Sequence, residues 1–182
     1  AVTAHGVSRQ MFQHVQLESM AQHHKSLVDT FTKRFWPDVG TNLEQLLIVV
    51  SSGYGDFLKV RRFLKSEDVD FCALHEYSSI QSLSRNRMRF FKKQVRVMVT
   101  TERFLWFRRY KLRGARHCVF VGTPETPEIY SECCNNLHNR ESATALTLYT
   151  KCDALPLERV LGSQRARQLC AAPKNKLFVY TP

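Results

Sequence analysis

Short apolar runs recur along the chain at regular distances, and more polar segments separate them. Six runs are rich in Val, Ile, Leu and Phe and contain no internal proline or glycine. They are residues 45–51 (QLLIVVS), 70–76 (DFCALHE), 95–101 (VRVMVTT), 116–121 (RHCVFV), 145–150 (ALTLYT) and 176–180 (KLFVY). Runs of this kind are typical of strands in a parallel sheet that is covered on both faces. We therefore predict a central, mostly parallel sheet.

The segments between these runs have apolar residues at helical spacing. Residues 18–36 form one such segment, and Pro37 is expected to end that helix. Residues 56–65 form another. A further helix is expected to begin with Pro127 at its first position, where proline is tolerated, and to run towards residue 137.

A helix is also predicted in the most basic part of the chain. Ser84 is a suitable N-cap for it, because a serine hydroxyl can accept a hydrogen bond from a backbone N–H of the first turn. We expect this helix to run to about residue 93. Met88 and Phe91 are expected to face inward.

The alternation of strands and helices predicts a doubly wound α/β sheet. A length of 182 residues suits one domain with its own core. We therefore predict a single domain over residues 1–182, with residues 1–15 as a lead-in arm that docks on a neighbouring lobe. Because the chain begins with Ala1 rather than methionine, we expect it to be a fragment of a longer protein.

Positive charge is concentrated in one part of the sequence. The formal net charge is +11, and residues 85–116 carry most of it, with Glu102 as their only acidic residue. The basic residues of this window are Arg85, Arg87, Arg89, Lys92, Lys93, Arg96, Arg103, Arg108, Arg109, Lys111, Arg113 and Arg116. Such a concentration favours a polyanionic partner, with nucleic acid first and an acidic membrane second. The alternatives are a solvated face that keeps the protein soluble, or contact with acidic protein.

Aromatic residues are interleaved with this positive charge. Phe104, Trp106, Phe107 and Tyr110 can stack on unpaired bases. The competing interpretation, which we favour for Phe104 and Phe107, is that they are core residues of an amphipathic helix. The two interpretations are equally weighted for Trp106 and Tyr110. The predicted RNA-binding residues are Arg85, Arg87, Arg89, Lys92, Lys93, Arg103, Trp106, Arg108, Arg109, Tyr110, Lys111 and Arg113.

The loop after the first apolar run is a second candidate ligand position. It contains Ser52, Gly53 and Tyr54. Ligands of open α/β sheets bind at the carboxyl ends of the strands, which is where this loop is expected. A plain helix cap is an equal alternative.

Several chemistries have no support in the sequence. There is no phosphate-binding loop, no paired carboxylate at a strand end and no spacing that indicates a nucleophilic triad. The clustered carboxylates Glu67, Asp68 and Asp70 are expected in a solvated turn. We predict no catalytic residue and no cofactor. No apolar run approaches the roughly 20 residues of a membrane span, so we expect no membrane partner.

A metal site is not expected either. None of the six cysteines forms a C-x-x-C pair, and we expect all six to be reduced thiols. His23 and His24 are adjacent, and neighbouring residues of a helix face different ways. We therefore expect both imidazoles on a solvated helix surface.

The order of the motifs resembles the second RecA-like lobe of superfamily-two helicases. The segment LLIVVSSGYGDFLKVRRFLK (residues 46–65) resembles the strand, loop and helix that open this lobe, and HEYSS (75–79) falls where the next loop begins. VRVMVTTE (95–102) resembles the strand that leads to a Thr-Asp motif, with Arg113 and Gly114 in the place of its Arg-Gly. The resemblance implies a RecA-like helicase C-terminal fold.

One family is closer still. The combination of GYGDFLKVRRFLK, EYSS, SRNRMRFF, TTERFLWFRRYKLRGARHCVF and PEIYSE resembles the digestive-organ expansion factor family of helicase-like, U3 small nucleolar RNA-associated proteins. RQMFQ (9–13) resembles the segment that precedes the same lobe in that family. The resemblance covers most of residues 9–136. It implies a nucleolar role in the small-subunit processome, with pre-ribosomal RNA, U3 small nucleolar RNA and processome proteins as partners.

Departures from active helicases bear on the mechanism. The alignment from Tyr130 puts Cys133, Asn136 and Asn139 where arginines of an active enzyme reach the ATP phosphates. An arginine finger neutralises transition-state charge, which neutral side chains cannot do. Ala115 also stands in the place of a ribose-binding acid.

The resemblance therefore implies a non-catalytic ribosome-biogenesis factor that supports 18S rRNA maturation through a degenerate helicase lobe. Two alternatives stay open. The chain could be one lobe of an active RNA-dependent ATPase, or a basic protein-interaction domain without RNA contact.

Overall fold

The computed structural model describes residues 7–139, 141–173 and 175–181. Seven strands lie in this part of the chain: β1 (Arg9–His14), β2 (Leu46–Val50), β3 (Phe71–Leu74), β4 (Val97–Thr101), β5 (His117–Val121), β6 (Thr144–Tyr149) and β7 (Leu177–Tyr180). They form one sheet in the order β3-β4-β2-β5-β6-β1-β7. All neighbours pair in parallel except β1 and β7, which are antiparallel. The predicted mostly parallel sheet is confirmed.

Eight α-helices accompany these strands in the described ranges. They are α1 (His23–Thr30), α2 (Trp36–Asp38), α3 (Tyr54–Ser66), α4 (Ile80–Phe91), α5 (Glu102–Arg108), α6 (Pro127–Asn135), α7 (Ala154–Leu161) and α8 (Ser163–Cys170). A π-helical turn, Phe31–Phe35, joins α1 to α2. The helix therefore continues through Pro37, because proline lies in the first turn of α2, where no backbone N–H is required.

The helices cover the sheet in two layers. Leu27, Phe57 and Val60 belong to a core cluster with Ile48 and Val99, so α1 and α3 pack on one face. The other face carries α4 to α8, whose buried residues share a second cluster with strand residues such as Leu47 and Phe120. This three-layer arrangement is the predicted doubly wound α/β fold.

Part of the predicted lead-in arm belongs to the sheet. Arg9–His14 form β1, which pairs with both β6 and β7. The sequence did not predict a strand here because three of its six residues are Gln10, Gln13 and His14. These polar groups find partners inside the domain: Tyr130 Oη donates to Gln10 Oε1 at 3.0 Å, and Gln13 Nε2 donates to the carbonyl of Asn175 at 2.9 Å. The expectation of docking on another lobe is therefore corrected for these residues.

The helix of the basic window also differs from the prediction. Its N-cap is Ser79, whose hydroxyl accepts from the N–H of Ser82, and not Ser84. Phe90 is buried, whereas Met88 and Phe91 are 51% and 55% exposed. The buried residues of α4 are Leu83 and Phe90, seven residues apart, and Met88 and Phe91 fall outside the face that they form.

Candidate nucleic-acid interface

The loops that follow the parallel strands meet at one edge of the sheet. Because parallel strands run in the same direction, the loops after β2, β3, β4 and β5 all lie at this carboxyl edge. Open α/β sheets bind ligands there. The basic helix α4 starts from this edge after β3, and α5 starts directly after β4.

Glu102 fixes the geometry of the carboxyl edge. It is buried at the start of α5, and its carboxylate accepts hydrogen bonds from the backbone N–H groups of Glu125 (3.2 Å) and Thr126 (2.8 Å). Burial raises the pKa of this carboxyl, and the two backbone hydrogen bonds oppose the rise. Glu102 thus ties the start of α5 to the loop before α6.

Thr101 strengthens the same junction. Its hydroxyl donates to Glu76 Oε1 at 3.0 Å and accepts from the N–H of Phe104 at 3.0 Å, so it caps α5. The last residue of β4 therefore sets the direction of α5. The position and orientation of the basic, aromatic helix are determined by buried hydrogen bonds.

Most of the predicted RNA-binding residues come together on one face. They lie on α4, in the turn that follows it, on α5 and in the segment after α5. Helices α4 and α5 belong to the same helical layer. Arg85, Lys92, Lys93, Arg103, Arg108, Arg109, Lys111 and Arg113 are exposed, and Arg87 and Arg89 are half-buried. We call these ten cationic residues the basic face.

Two further basic residues of the window have structural contacts instead. Arg96 donates to the carbonyl oxygens of Thr41 (2.8 Å) and Leu43 (2.9 Å) beneath the amino ends of the strands. Arg116 lies 3.8 Å from the carboxylate of Glu44. Neither belongs to the basic face.

Some of the positive charge of the basic face has acidic neighbours. Arg89 lies 3.6 Å from Asp70, and Arg109 lies 3.8 Å from Glu132. Exposed ion pairs of this kind contribute only about 0–1 kcal/mol. These arginines therefore stay available to a stronger anionic partner.

The aromatic residues of α5 divide between core and surface. Phe104 is 1% exposed and belongs to the core, as expected for an amphipathic helix. Phe107 is 67% exposed, so the core interpretation is wrong for it. Phe107 lies three residues further along the seven-residue helix, where the chain turns away from the sheet.

Arginines stack on the exposed aromatic rings. The guanidinium carbon of Arg109 lies 4.0 Å from the ring centroid of Trp106, and that of Arg87 lies 4.3 Å from the ring of Tyr110. Tyr110 is half-buried and packs on Phe104 with a centroid distance of 5.9 Å. Such stacking orders the long side chains, and it leaves their N–H groups free to reach phosphates.

The loop candidates lie at the carboxyl edge after β2. Gly53 is the N-cap of α3 with φ of +116°, a conformation that favours glycine. The Ser52 hydroxyl is buried without a hydrogen-bond partner in the described chain. The structure therefore agrees with the helix-cap interpretation and leaves the ligand interpretation open.

An aromatic cluster beside this loop was missed by sequence reasoning. The ring of Tyr54 lies 5.8 Å from His75 and 5.1 Å from Tyr77, and Tyr77 is 77% exposed. Burial and the nearby Arg61 lower the pKa of His75. The sequence contained an indication of this cluster, because Tyr77 closely follows an apolar run whose end lies at the carboxyl edge of the sheet.

The three positions aligned with catalytic arginines differ in burial. Cys133 is 8% exposed and lies next to Cys118 in the core. Asn136 is half-buried, whereas Asn139 is exposed with φ of +60°. Ala115 is buried, and its carbonyl accepts from the N–H of His138 at 2.7 Å.

Of the histidine pair, His24 is solvated as expected, whereas His23 is not. The His23 side chain is only 18% exposed, and its Nδ1 lies 2.7 Å from the Thr150 hydroxyl. Its Nε2 lies 3.4 Å from the buried carboxylate of Asp153. His24 is exposed and lies 3.5 Å from Asp56. The two imidazoles therefore join α1 to the carboxyl edge.

The remaining polar clusters show no ligand geometry. Within the described ranges, no group of three or more His, Cys, Asp or Glu side chains is arranged to hold a metal ion. All six cysteines are free thiols. No helix in the described part of the chain is long and apolar enough to cross a bilayer.

Comparisons with known proteins identify the family that the chain matches. A family model described as "Utp25, C-terminal domain" matches residues 3–180. The U3 small nucleolar RNA-associated protein 25 homolog of Xenopus tropicalis is 32% identical over 93% of the chain, and NUCLEOLAR FACTOR 1 of Arabidopsis thaliana is 29% identical over 92%. The chain spans 23% and 22% of these two curated relatives.

The fold has counterparts among solved structures. The C-terminal domain of the DEAD-box protein Dbp5 superposes with a TM-score of 0.66 at 15% identity, covering 90% of this chain and 86% of that chain. This similarity confirms the RecA-like helicase C-terminal fold that the motifs implied. At this identity it concerns the fold alone.

Proposed function

Because the chain belongs to the Utp25 C-terminal domain family, we propose that it is a non-catalytic, RNA-binding lobe that acts in ribosome biogenesis. It supports small-subunit (18S) rRNA maturation as part of the small-subunit processome in the nucleolus. Its RNA partners are pre-ribosomal RNA and U3 small nucleolar RNA, and it also contacts processome proteins. Relatives named as U3 small nucleolar RNA-associated and nucleolar proteins support this role.

The basic face is the observation that carries the RNA-binding part of the proposal. Its ten cationic side chains lie on α4 and the turn after it, on α5 and on the segment between α5 and β5. Each cation that neutralises a phosphate releases a condensed counterion, and this release drives binding. Exposed Trp106 and Phe107 beside these cations supply rings on which unpaired bases stack.

Neutral side chains at the aligned arginine positions support the non-catalytic part. A finger arginine accelerates phosphoryl transfer by about 10³–10⁵-fold. An arginine at position 133 would have to place its charge in the core where Cys133 is buried. Burying an unpaired charge is strongly unfavourable. This lobe therefore contributes RNA contacts and no catalytic charge at that position.

Charge reversal of the basic face tests the proposal. The triple variant Arg85→Glu, Arg108→Glu, Arg109→Glu replaces three exposed cations and changes the net charge by −6. We expect its affinity for a fluorescein-labelled fragment of pre-ribosomal RNA to fall by at least 100-fold at about 100 mM salt, because phosphate contacts are lost and repulsion is added. The affinity is measured by fluorescence anisotropy.

A matched control separates the basic face from net charge. Lys25, Arg62 and Lys65 are exposed on the opposite helical layer. The triple variant Lys25→Glu, Arg62→Glu, Lys65→Glu carries the same charge change. Its RNA affinity is expected to fall by less than about tenfold, because only the long-range attraction is weakened. Equal losses in the two variants would refute a localised RNA surface.

A further inference from the structure

A groove lies within the basic face, between the C-terminal half of α4 and the segment that follows α5. Its volume is about 450 Å³. The groove is lined by Ser84, Arg87, Met88, Phe91, Met98, Lys111, Leu112 and Arg113. Volumes of this order are typical of small-ligand sites. We call this feature the α4 groove.

The backbone explains why the groove is open along one side. Leu112 is buried and anchors the segment, so its neighbours Lys111 and Arg113 point outward. Gly114 has φ of +99°, and a Cβ at this position would come within 3.1 Å of the Cα of Phe91. Glycine therefore lets the segment approach α4 closely enough for the two to form the walls of one groove.

The walls of the α4 groove are apolar although they face solvent. Met88 is 51% exposed and Phe91 is 55% exposed, while Met98 and Leu112 form a buried floor. Exposed large apolar side chains that line a concavity mark a contact site. An aromatic ring and a polarizable thioether suit a flat, aromatic ligand.

Positive charge surrounds this apolar lining. Arg87, Lys111 and Arg113 contribute to the groove, and Arg87 is ordered by its stacking on Tyr110 at 4.3 Å. No acidic residue lines the groove. The ligand that complements it carries an apolar, flat part joined to anionic groups, which is the chemistry of a nucleotide within single-stranded RNA.

We propose that the α4 groove receives the base of one unpaired RNA nucleotide, whose flanking phosphates contact Lys111 and Arg113. The inference rests on the proposed RNA-binding function and adds to it a place where a base, rather than the backbone, is held. Phe91 stacks on the base, and Met88 packs against its edge. The sequence alone did not suggest this site, because both residues were predicted to face inward.

Two RNA probes of equal charge test the proposal on the whole chain. One is a fluorescein-labelled decamer of uridine, and the other is a decamer in which every base is replaced by hydrogen. We expect the 182-residue protein to bind the uridine decamer roughly tenfold or more tightly, since stacking contributes about 1–3 kcal/mol per base. The variant Met88→Ala, Phe91→Ala is expected to reduce this preference by about fivefold, since Trp106 and Phe107 still offer rings to other bases, and to leave binding of the abasic decamer unchanged.

A control variant and a second readout make the test specific to the groove. Ile80→Ala removes another exposed apolar side chain of α4 that does not line the groove, and it should keep the preference. A decamer containing 4-thiouridine should crosslink to residues 84–91 or 111–113 in the wild-type protein.

The possible outcomes are distinct. Failure to bind either decamer overturns both the proposed function and the groove. If both decamers bind equally well, or if the double variant keeps the base preference, the groove proposal is wrong while RNA binding stands. A crosslink confined to α5 would also overturn it and would place the base on Trp106 or Phe107.

Discussion

Asp153 is the residue whose environment departs most from that of a solvated carboxylate. It is 6% exposed, and its Oδ2 accepts from the N–H of Thr150 at 2.8 Å. Burial raises its pKa to about 7, against an ordinary value of 3.8, and the repulsion of Glu125 adds to the rise. His23, whose pKa burial lowers, lies 3.4 Å away, so near pH 7 a mostly neutral imidazole faces a partly ionised carboxyl.

This shift predicts a pH dependence of stability. Below pH 4 Asp153 is protonated in both the folded and the unfolded chain, so its burial does not lower the free energy of unfolding. As the pH rises from 4 to 7 only the unfolded chain loses the proton, so the free energy of unfolding falls. Asp153→Asn keeps an acceptor for Thr150 and has no charge to bury. We expect the difference in the free energy of unfolding between the variant and wild type to increase by about 2–3 kcal/mol from pH 5 to pH 8, in favour of the variant.

Urea unfolding at pH 5 and pH 8 measures this difference. Asp70→Asn is the control, because Asp70 is 71% exposed and its replacement should not change the difference between the two pH values. If the difference in stability between Asp153→Asn and wild type is the same at pH 5 and pH 8, the buried carboxyl is ionised throughout. The raised pKa assigned to Asp153 would then be wrong.

Helix α5 shows how one short element combines core packing with an exposed aromatic and basic surface. Its buried side chains, Phe104 and Leu105, join the core, while Trp106 and Phe107 face solvent beside the basic face. Glu102 and Thr101 hold its first turn through backbone hydrogen bonds. The element can therefore present aromatic rings and cations without losing its place on the sheet.

Alanine replacement separates the two roles within α5. Phe104→Ala is expected to lower the free energy of unfolding by about 3–5 kcal/mol, because it leaves a cavity. Phe107→Ala is expected to change it by less than about 1 kcal/mol and to weaken RNA binding instead. Urea unfolding and anisotropy titrations measure the two effects. Equal destabilisation by both variants would contradict the exposed position of Phe107.

The elements differ in how well the sequence predicted them. The buried runs of β2, β4 and β5 were predictable because all their residues except His117 are apolar or β-branched and are buried. β1 was not predicted, because its polar residues are satisfied by distant partners that no local pattern shows. The inward face of α4 was misassigned because a start at Ser84 leaves out Leu83, which forms the buried face together with Phe90.

The candidate site was predictable in part. The density of positive charge along the sequence was enough to predict the basic residues, since exposed cations need no particular partner. Tyr77 and the α4 groove were missed because they depend on which loops and walls the topology places together. Composition and periodicity predicted only a doubly wound sheet. The resemblance of the motifs to a known family was needed to predict a RecA-like fold.

At the scale of the whole molecule, the two helical layers differ in character. The layer of α4 and α5 carries the basic face, in a sequence window whose only acid is Glu102, whereas the layer of α1 to α3 mixes its cations with acids such as Asp29 and Asp56. The fold is that of a helicase lobe, and its asymmetry of charge is what an RNA-facing module requires. We therefore place RNA on the α4–α5 side of the sheet.

The measurement that tests this account most directly is the salt dependence of RNA affinity for the wild-type chain, with ATP hydrolysis followed in the same samples. Log affinity should fall with log salt with a slope of about −3 or steeper, as expected when four or more phosphates are neutralised. No hydrolysis above background is expected. A slope between 0 and about −1 would contradict an electrostatic RNA surface, and RNA-stimulated hydrolysis would contradict a non-catalytic lobe.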